Sequence, residues 1–218
     1  MKKVFLLPFM LFLSSYASAQ FFEGYVKYIH HLEITDTTMS KNDIFLSHSL
    51  GSASTLYIKG TDYHWTFANC QMESQTYLAA SNLLYEKYPK SDTLYTHSAA
   101  VENEVILKEE LKASKVSVLG DKCQLLAIKS KFIKENAIRG RMYYFAKKYP
   151  LHPDFFKKFK MNNNNLIFAK MGYLPLRFTV IYPTFRITYH AIEVKQTKVD
   201  EKLFDMSKKK TKPLQTRR

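Results

Sequence analysis

Glycine and cysteine are scarce in this 218-residue chain, and the short motifs of the common enzyme classes are absent from its sequence. It has six glycines and two cysteines, and it contains no G-x-S-x-G, H-E-x-x-H or C-x-x-C motif and no glycine-rich phosphate loop. Those motifs mark serine hydrolases, zinc peptidases, dithiol redox enzymes and nucleotide-binding proteins. The sequence therefore predicts a noncatalytic protein that needs no metal and no cofactor.

Long apolar runs are missing after the first twenty residues. Lys2 and Lys3 precede an apolar run at 4–13, and small residues then lead to Ala19, which is typical of a signal peptide cleaved between Ala19 and Gln20. An uncleaved anchor is the alternative, but the run is too short to cross a bilayer. No cysteine follows the small residues, so a lipid-modified N-terminus is not expected. We therefore predict a periplasmic or secreted protein.

The rest of the chain reads as one domain followed by a basic tail. No Gly/Ser- or Pro-rich linker and no repeat of 20–50 residues divides it. We predict a signal peptide at 1–19, a single β domain at 20–206 and a disordered tail at 207–218. The signal's two lysines and the tail's six basic residues carry eight of the fourteen net positive charges, which leaves +6 for the domain.

That distribution of charge argues against nucleic acid as a partner. The tail has two interpretations: a solvated segment, or a segment that attaches the protein to the anionic headgroups of an envelope membrane.

The two cysteines leave a second choice open. An exported protein meets an oxidising compartment, so Cys70 and Cys123 either form a disulfide or are two buried thiols. No histidine or acid stands at ligand spacing from either cysteine, and a metal site is not expected.

Period-two alternation with many aromatic and β-branched residues dominates the mature chain. Apolar residues alternate with polar ones from Phe22 to Ile34, and residues 56–67 have a strand, turn, strand pattern centred on Gly60. Further strands are predicted at 75–79, 83–88, 92–98, 116–119, 124–130, 141–146, 166–170, 176–182 and 185–194. Short turns join them without helical crossovers, so we predict a mainly β (α+β) fold with a large antiparallel sheet.

Few helices are expected. Residues 152–160 have Pro153 near their start and three phenylalanines, which favours a helix, whereas 101–115 is compatible with helix or strand. We therefore expect one or two helices packed on the sheet.

The order of segments along the chain resembles one known group of proteins. These segments are 22–28 (FEGYVKY), 56–60 (LYIKG), 120–123 (GDKC), 172–178 (GYLPLRF) and 199–204 (VDEKLF). Together they are similar to the periplasmic carriers of outer-membrane lipoproteins, the LolA/LolB-like superfamily, and especially to relatives of unknown function in Bacteroidetes-type bacteria. The resemblance implies a curved antiparallel half-barrel with helices over an apolar face that holds acyl chains.

Aromatic residues at alternate strand positions are the candidate wall of such a ligand site, and plain core is the alternative interpretation. The candidates are Trp65, Phe67, Tyr143, Phe145, Phe178 and Tyr182. Three hypotheses follow: a noncatalytic binder or carrier of a lipid or other hydrophobic ligand, a cell-envelope structural or interaction protein without a small-molecule ligand, and an enzyme whose scattered histidines converge only in the fold.

Overall fold

The computed structural model describes residues 21–36, 38, 44 and 50–214. The predicted signal peptide at 1–19, its cleavage site at Ala19 and Gln20, and the last four residues of the predicted tail lie outside the described residues.

In the described part of the chain, twelve strands form one open sheet, which confirms the predicted mainly β class. Along the sheet their order is β12-β6-β5-β4-β3-β2-β1-β11-β10-β9-β8-β7. The strands are β1 Gly24–Ile34, β2 Leu50–Lys59, β3 Asp62–Cys70, β4 Ser74–Leu78, β5 Leu83–Lys87, β6 Thr93–Ser98, β7 Glu104–Val118, β8 Asp121–Phe132, β9 Ile138–Pro150, β10 Tyr173–Ile181, β11 Phe185–Gln196 and β12 Lys210–Pro213. All neighbours are antiparallel except β12 and β6, so the sheet is mixed.

Strand β1 lies in the middle of the sheet and shows why the alternation predicts a strand. Val26 and Tyr28 are buried on one face, while Lys27 between them is partly exposed. The buried face does not continue to the end of the strand as predicted, because Leu32 and Ile34 are 36% and 53% exposed. Pairing with β2 stops at Ile29, so the C-terminal part of β1 extends beyond the core.

Two glycines make tight geometry possible. Gly60 has φ +58° in the turn between β2 and β3, which confirms the predicted hairpin. Gly24 has φ +151°, and a Cβ placed there would lie 2.0 Å from the carbonyl oxygen of Lys195 on β11. The start of β1 therefore requires glycine.

The helix lies elsewhere than predicted. Residues 152–160 form successive turns, because hydrogen bonds such as Phe159 N–H to Phe156 O span three residues and Phe156 has φ +63°. The segment predicted as a strand at 166–170 belongs instead to helix α1, Asn164–Met171. Its buried Ile167 and Met171 are four residues apart, which is helical spacing. A short 3₁₀ turn, Met161–Asn163, precedes α1.

Helix α1 ends at a glycine. Gly172 adopts the left-handed conformation, and its N–H donates to the carbonyl of Phe168.

The two edges of the sheet settle two open questions. The ambiguous segment at 101–115 is mostly part of β7, a 15-residue strand that pairs with β8 and lies at one edge of the sheet formed by the described residues. At the other edge, Lys210–Pro213 forms β12 beside β6, so the prediction of a disordered tail is wrong for these four residues. Main-chain hydrogen bonding to β6 overrides their charged composition, as shown by Leu214 N–H donating to Thr96 O at 2.7 Å.

Candidate ligand-binding cavity

A cavity of about 270 Å³ lies between one face of the sheet and the segment at 151–168. Its wall includes Leu84 from β5 and Tyr143 from β9, which are seven strand positions apart in the sheet. At about 4.8 Å per strand, a flat sheet would hold these two strands roughly 34 Å apart. The sheet therefore curves around the cavity as an open half-barrel.

Aromatic rings of the 151–168 segment cover the cavity. Phe156 meets Tyr63 of β3 edge to face at a centroid distance of 5.4 Å and Phe168 at 4.6 Å. Three hydrogen bonds hold the cover to the β5–β6 side: Asn82 Nδ2 to Lys158 O at 3.0 Å, and the N–H groups of Lys160 and Met161 to the carbonyl of Ala99 at 2.8 and 3.0 Å. The cover is thus joined to the sheet by apolar packing and by hydrogen bonds from both main-chain and side-chain groups.

Three of the six predicted ligand-wall residues meet at this cavity. Trp65, Tyr143 and Phe178 line it together with Tyr189, which was not predicted. Phe178 is stacked on Tyr189 with ring centroids 4.2 Å apart, and Trp65 lies 6.2 Å from Phe178 and 5.9 Å from Tyr189. Trp65 is the single tryptophan of the chain, so its fluorescence reports on the cavity.

The other three predicted residues lie outside the wall. Phe67 packs against Trp65 with ring centroids 4.9 Å apart but does not line the cavity. Phe145 is fully buried in a second core cluster and stacks on Tyr173, and Tyr182 stacks on Phe185 at 4.5 Å. Alternation along a strand identifies the buried face, but it does not distinguish packed core from cavity wall.

The cavity also has a polar end, which the sequence predictions missed. Arg139 and Arg141 of β9 line it, and both are less than 10% exposed. The fully buried carboxylate of Glu104 on β7 pairs with both, at 2.7 Å from Arg141 Nη2 and in close contact with Arg139. Arg141 also donates to the carbonyl of Asn162 at 2.7 Å, and Arg139 donates to the Asn162 side-chain oxygen at 3.1 Å.

Electrostatics at this end are dominated by the two guanidinium groups. Burial, and then repulsion by Arg141, lower the pKa of Arg139 to about 10. Arg139 nevertheless remains protonated at neutral pH. The spacing of Arg139, Arg141 and Tyr143 on one face of β9 is the signal in the sequence from which the polar end could have been found.

The two cysteines are not bonded to each other. Cys70 ends β3 and Cys123 lies in β8, with five strands between them in the sheet order, and Cys123 is a buried free thiol. Burial raises the pKa of the Cys123 thiol. Of the two alternatives left open by the sequence, the structure therefore excludes a disulfide between them.

Histidines do not gather at the cavity. Within the described part of the chain, neither a histidine nor an acidic residue lines it. His30 lies against the β2 strand, with Nε2 2.8 Å from Ser54 Oγ, and His64 Nδ1 is 2.7 Å from Thr76 Oγ1. Among residues 21–36, 38, 44 and 50–214, no three His, Cys, Asp or Glu residues are placed to hold a metal ion.

Comparisons with known proteins leave the family open. Neither the protein-family models nor the curated proteins give a match to this chain. In the part that the structure describes, no helix has the length and apolar character needed to span a membrane.

Proposed function

We propose that this chain is an exported, noncatalytic protein that binds, and carries between sites in the periplasm, a lipid or other hydrophobic ligand. One observation carries the proposal: the half-barrel leaves an apolar, aromatic-lined cavity of about 270 Å³ under a cover segment. Natural ligand sites are concave, mostly apolar, and contain a few well-placed polar groups. The signal-like residues 1–19 and the resemblance to lipoprotein carriers support the same proposal.

The size of the cavity indicates the size of the ligand. At about 30 Å³ for each water-sized group, it accommodates roughly nine or ten non-hydrogen atoms without movement of the cover. A chain of eight carbons fits this size. Burying eight carbons from water is worth about 6 kcal/mol, which corresponds to a Kd on the order of tens of micromolar.

The test is a titration of the protein with 1-octanol, followed by the fluorescence of Trp65. We expect a saturable change with a Kd of tens of micromolar. V180F places a ring in the cavity, because Val180 lines it, and should weaken binding at least tenfold. V105F makes the same chemical change at a position that is 53% exposed on β7, and should leave the Kd unchanged. Absence of saturable binding, or equal binding by V180F, would refute the proposal.

A second candidate is a cell-envelope interaction protein that uses a sheet edge or the basic tail. Strand β12 places exposed Lys210 and Lys212 along one sheet edge, next to exposed Lys208 and Lys209. Lysines near an anionic surface contribute about 1 kcal/mol each. This candidate predicts sedimentation with vesicles of anionic phospholipid, lost in high salt and after truncation at Ser207. Sedimentation that persists in the truncated chain would exclude the tail as the attachment.

A further inference from the structure

The charged groups of the cavity are all of one sign. Among the described residues that line it, Arg139 and Arg141 carry charge, and no acid accompanies them in the lining. Glu104 lies behind them and neutralises one of the two positive charges. The polar end therefore keeps a net charge of about +1 on two side chains that are at most 10% exposed.

Both arginines retain unused hydrogen-bonding capacity. Arg141 donates to Glu104, Ser130 and Asn162 through its two terminal nitrogens, and Arg139 contacts Glu104 and Asn162 through Nη2. Among the described residues, the buried Nε–H of each arginine has no acceptor. A buried donor without an acceptor costs about 1–3 kcal/mol, so Glu104, Ser130 and Asn162 leave the two guanidinium groups incompletely satisfied.

The rest of the wall restricts what can bring that oxygen. Beyond the two arginines the lining is mainly aromatic and aliphatic, and it includes Trp65, Phe178 and Leu174. A free inorganic anion would leave this apolar volume empty. A purely apolar molecule would leave the net positive charge of the two arginines without a counter-charge.

We propose that the ligand is an amphipathic monoanion: a single apolar chain or ring system of about ten non-hydrogen atoms whose carboxylate lies against Arg139 and Arg141. This inference rests on the proposed function, and it adds that the ligand is negatively charged and that its charged group binds at the end of the cavity formed by the two arginines. The carboxylate accepts charge-assisted hydrogen bonds from the guanidinium groups, and the chain lies against the rings of β3, β10 and β11.

Asn162 links this site to the cover. Its carbonyl and side-chain oxygens accept from Arg141 and Arg139, and it lies in the 3₁₀ turn just before α1. Its backbone has φ +58°, and Asn103 Oδ1 accepts its N–H at 2.6 Å. The two arginines are thus held in place before a ligand arrives, which reduces the ordering cost of binding.

The experiment compares octanoate with octanamide, a neutral molecule of the same size and shape, at pH 7.5 by Trp65 fluorescence and calorimetry. We expect octanoate to bind at least tenfold more tightly than octanamide. In R139Q the preference for octanoate over octanamide should fall below about threefold, while R139K should keep most of this preference. R177Q is the matched control, because Arg177 lies on β10 over the ring of Tyr144 and does not line the cavity.

The outcomes separate the two proposals. Equal Kd values for octanoate and octanamide in the unaltered protein would overturn the inference and leave the apolar binding function standing. An unchanged tenfold preference in R139Q, or its loss in R177Q, would also overturn the inference. Failure of both molecules to bind would overturn the proposed function itself. The comparison in the unaltered protein needs no variant, so it holds even if R139Q does not fold.

Discussion

Neutralising Glu104 should destabilise the fold far more than neutralising a surface glutamate. The Glu104 side chain is 0% exposed, and those of Arg141 and Arg139 are 4% and 10% exposed. E104Q leaves two buried guanidinium groups side by side with no counter-charge. Breaking a buried pair in this way costs about 3–5 kcal/mol. With a urea m-value of about 2 kcal/mol/M, the unfolding midpoint should fall by roughly 2 M.

The assay is equilibrium urea unfolding followed by Trp65 fluorescence, with far-ultraviolet circular dichroism as a second probe. E102Q is the matched control, because Glu102 pairs with Lys160 at 2.9 Å but its side chain is 63% exposed. Its loss should cost less than about 1 kcal/mol. If E104Q and E102Q shifted the midpoint equally, the buried charge cluster would not stabilise the fold, and the reasoning would be refuted.

Three further predictions concern the fold. G24A should have a lower urea unfolding midpoint than G60A. Both positions have positive φ, but of the two only a Cβ at position 24 would meet a backbone oxygen. Equal midpoints would contradict this prediction. I167A should lower the free energy of unfolding by about 2–5 kcal/mol and L166A by less than about 1 kcal/mol, because Ile167 is 1% exposed and Leu166 is 53% exposed. Similar losses in the two variants would show that α1 does not pack as described. Burial, and then Lys209, lower the pKa of His64 to about 4. Between pH 6.5 and 4, His64 therefore binds a proton in the unfolded chain but not in the folded one, and the free energy of unfolding should fall by up to about 3 kcal/mol as the pH drops. H64Q should flatten this pH dependence. An identical pH dependence in H64Q would exclude His64 as its source.

Alternation of residue types was sufficient to predict most of the sheet. Strands such as β4, β5, β6, β10 and β11 lie within one to three residues of the predicted ends. Near residue 160 the sequence predicted a helix where the chain forms turns, and a strand where it forms helix α1, because the local signals conflict. Phe155, Phe156 and Phe159 favour a helix by spacing, but tertiary packing of their rings on the sheet holds Phe156 at positive φ. The true helix has its signal in Gly172, at its C-terminal end.

The site was predictable only in part. Trp65, Tyr143 and Phe178 follow from alternation, because a strand's buried face points toward whatever the sheet encloses. The pairing of Glu104 with Arg139 and Arg141 joins β7 to β9 across β8 and depends on the sheet order, which composition does not encode. The position of the cover segment also could not be predicted from the sequence, because it depends on long-range packing.

The most direct test of the account is native mass spectrometry of the protein purified from the cells that make it, followed by solvent extraction and identification of the released molecule. The account predicts one acidic, apolar ligand per chain, carried by the unaltered protein and by V105F and missing from V180F. A bare mass for the unaltered protein, or the same ligand on V180F, would contradict the claim that the cavity beside Trp65 is a ligand site.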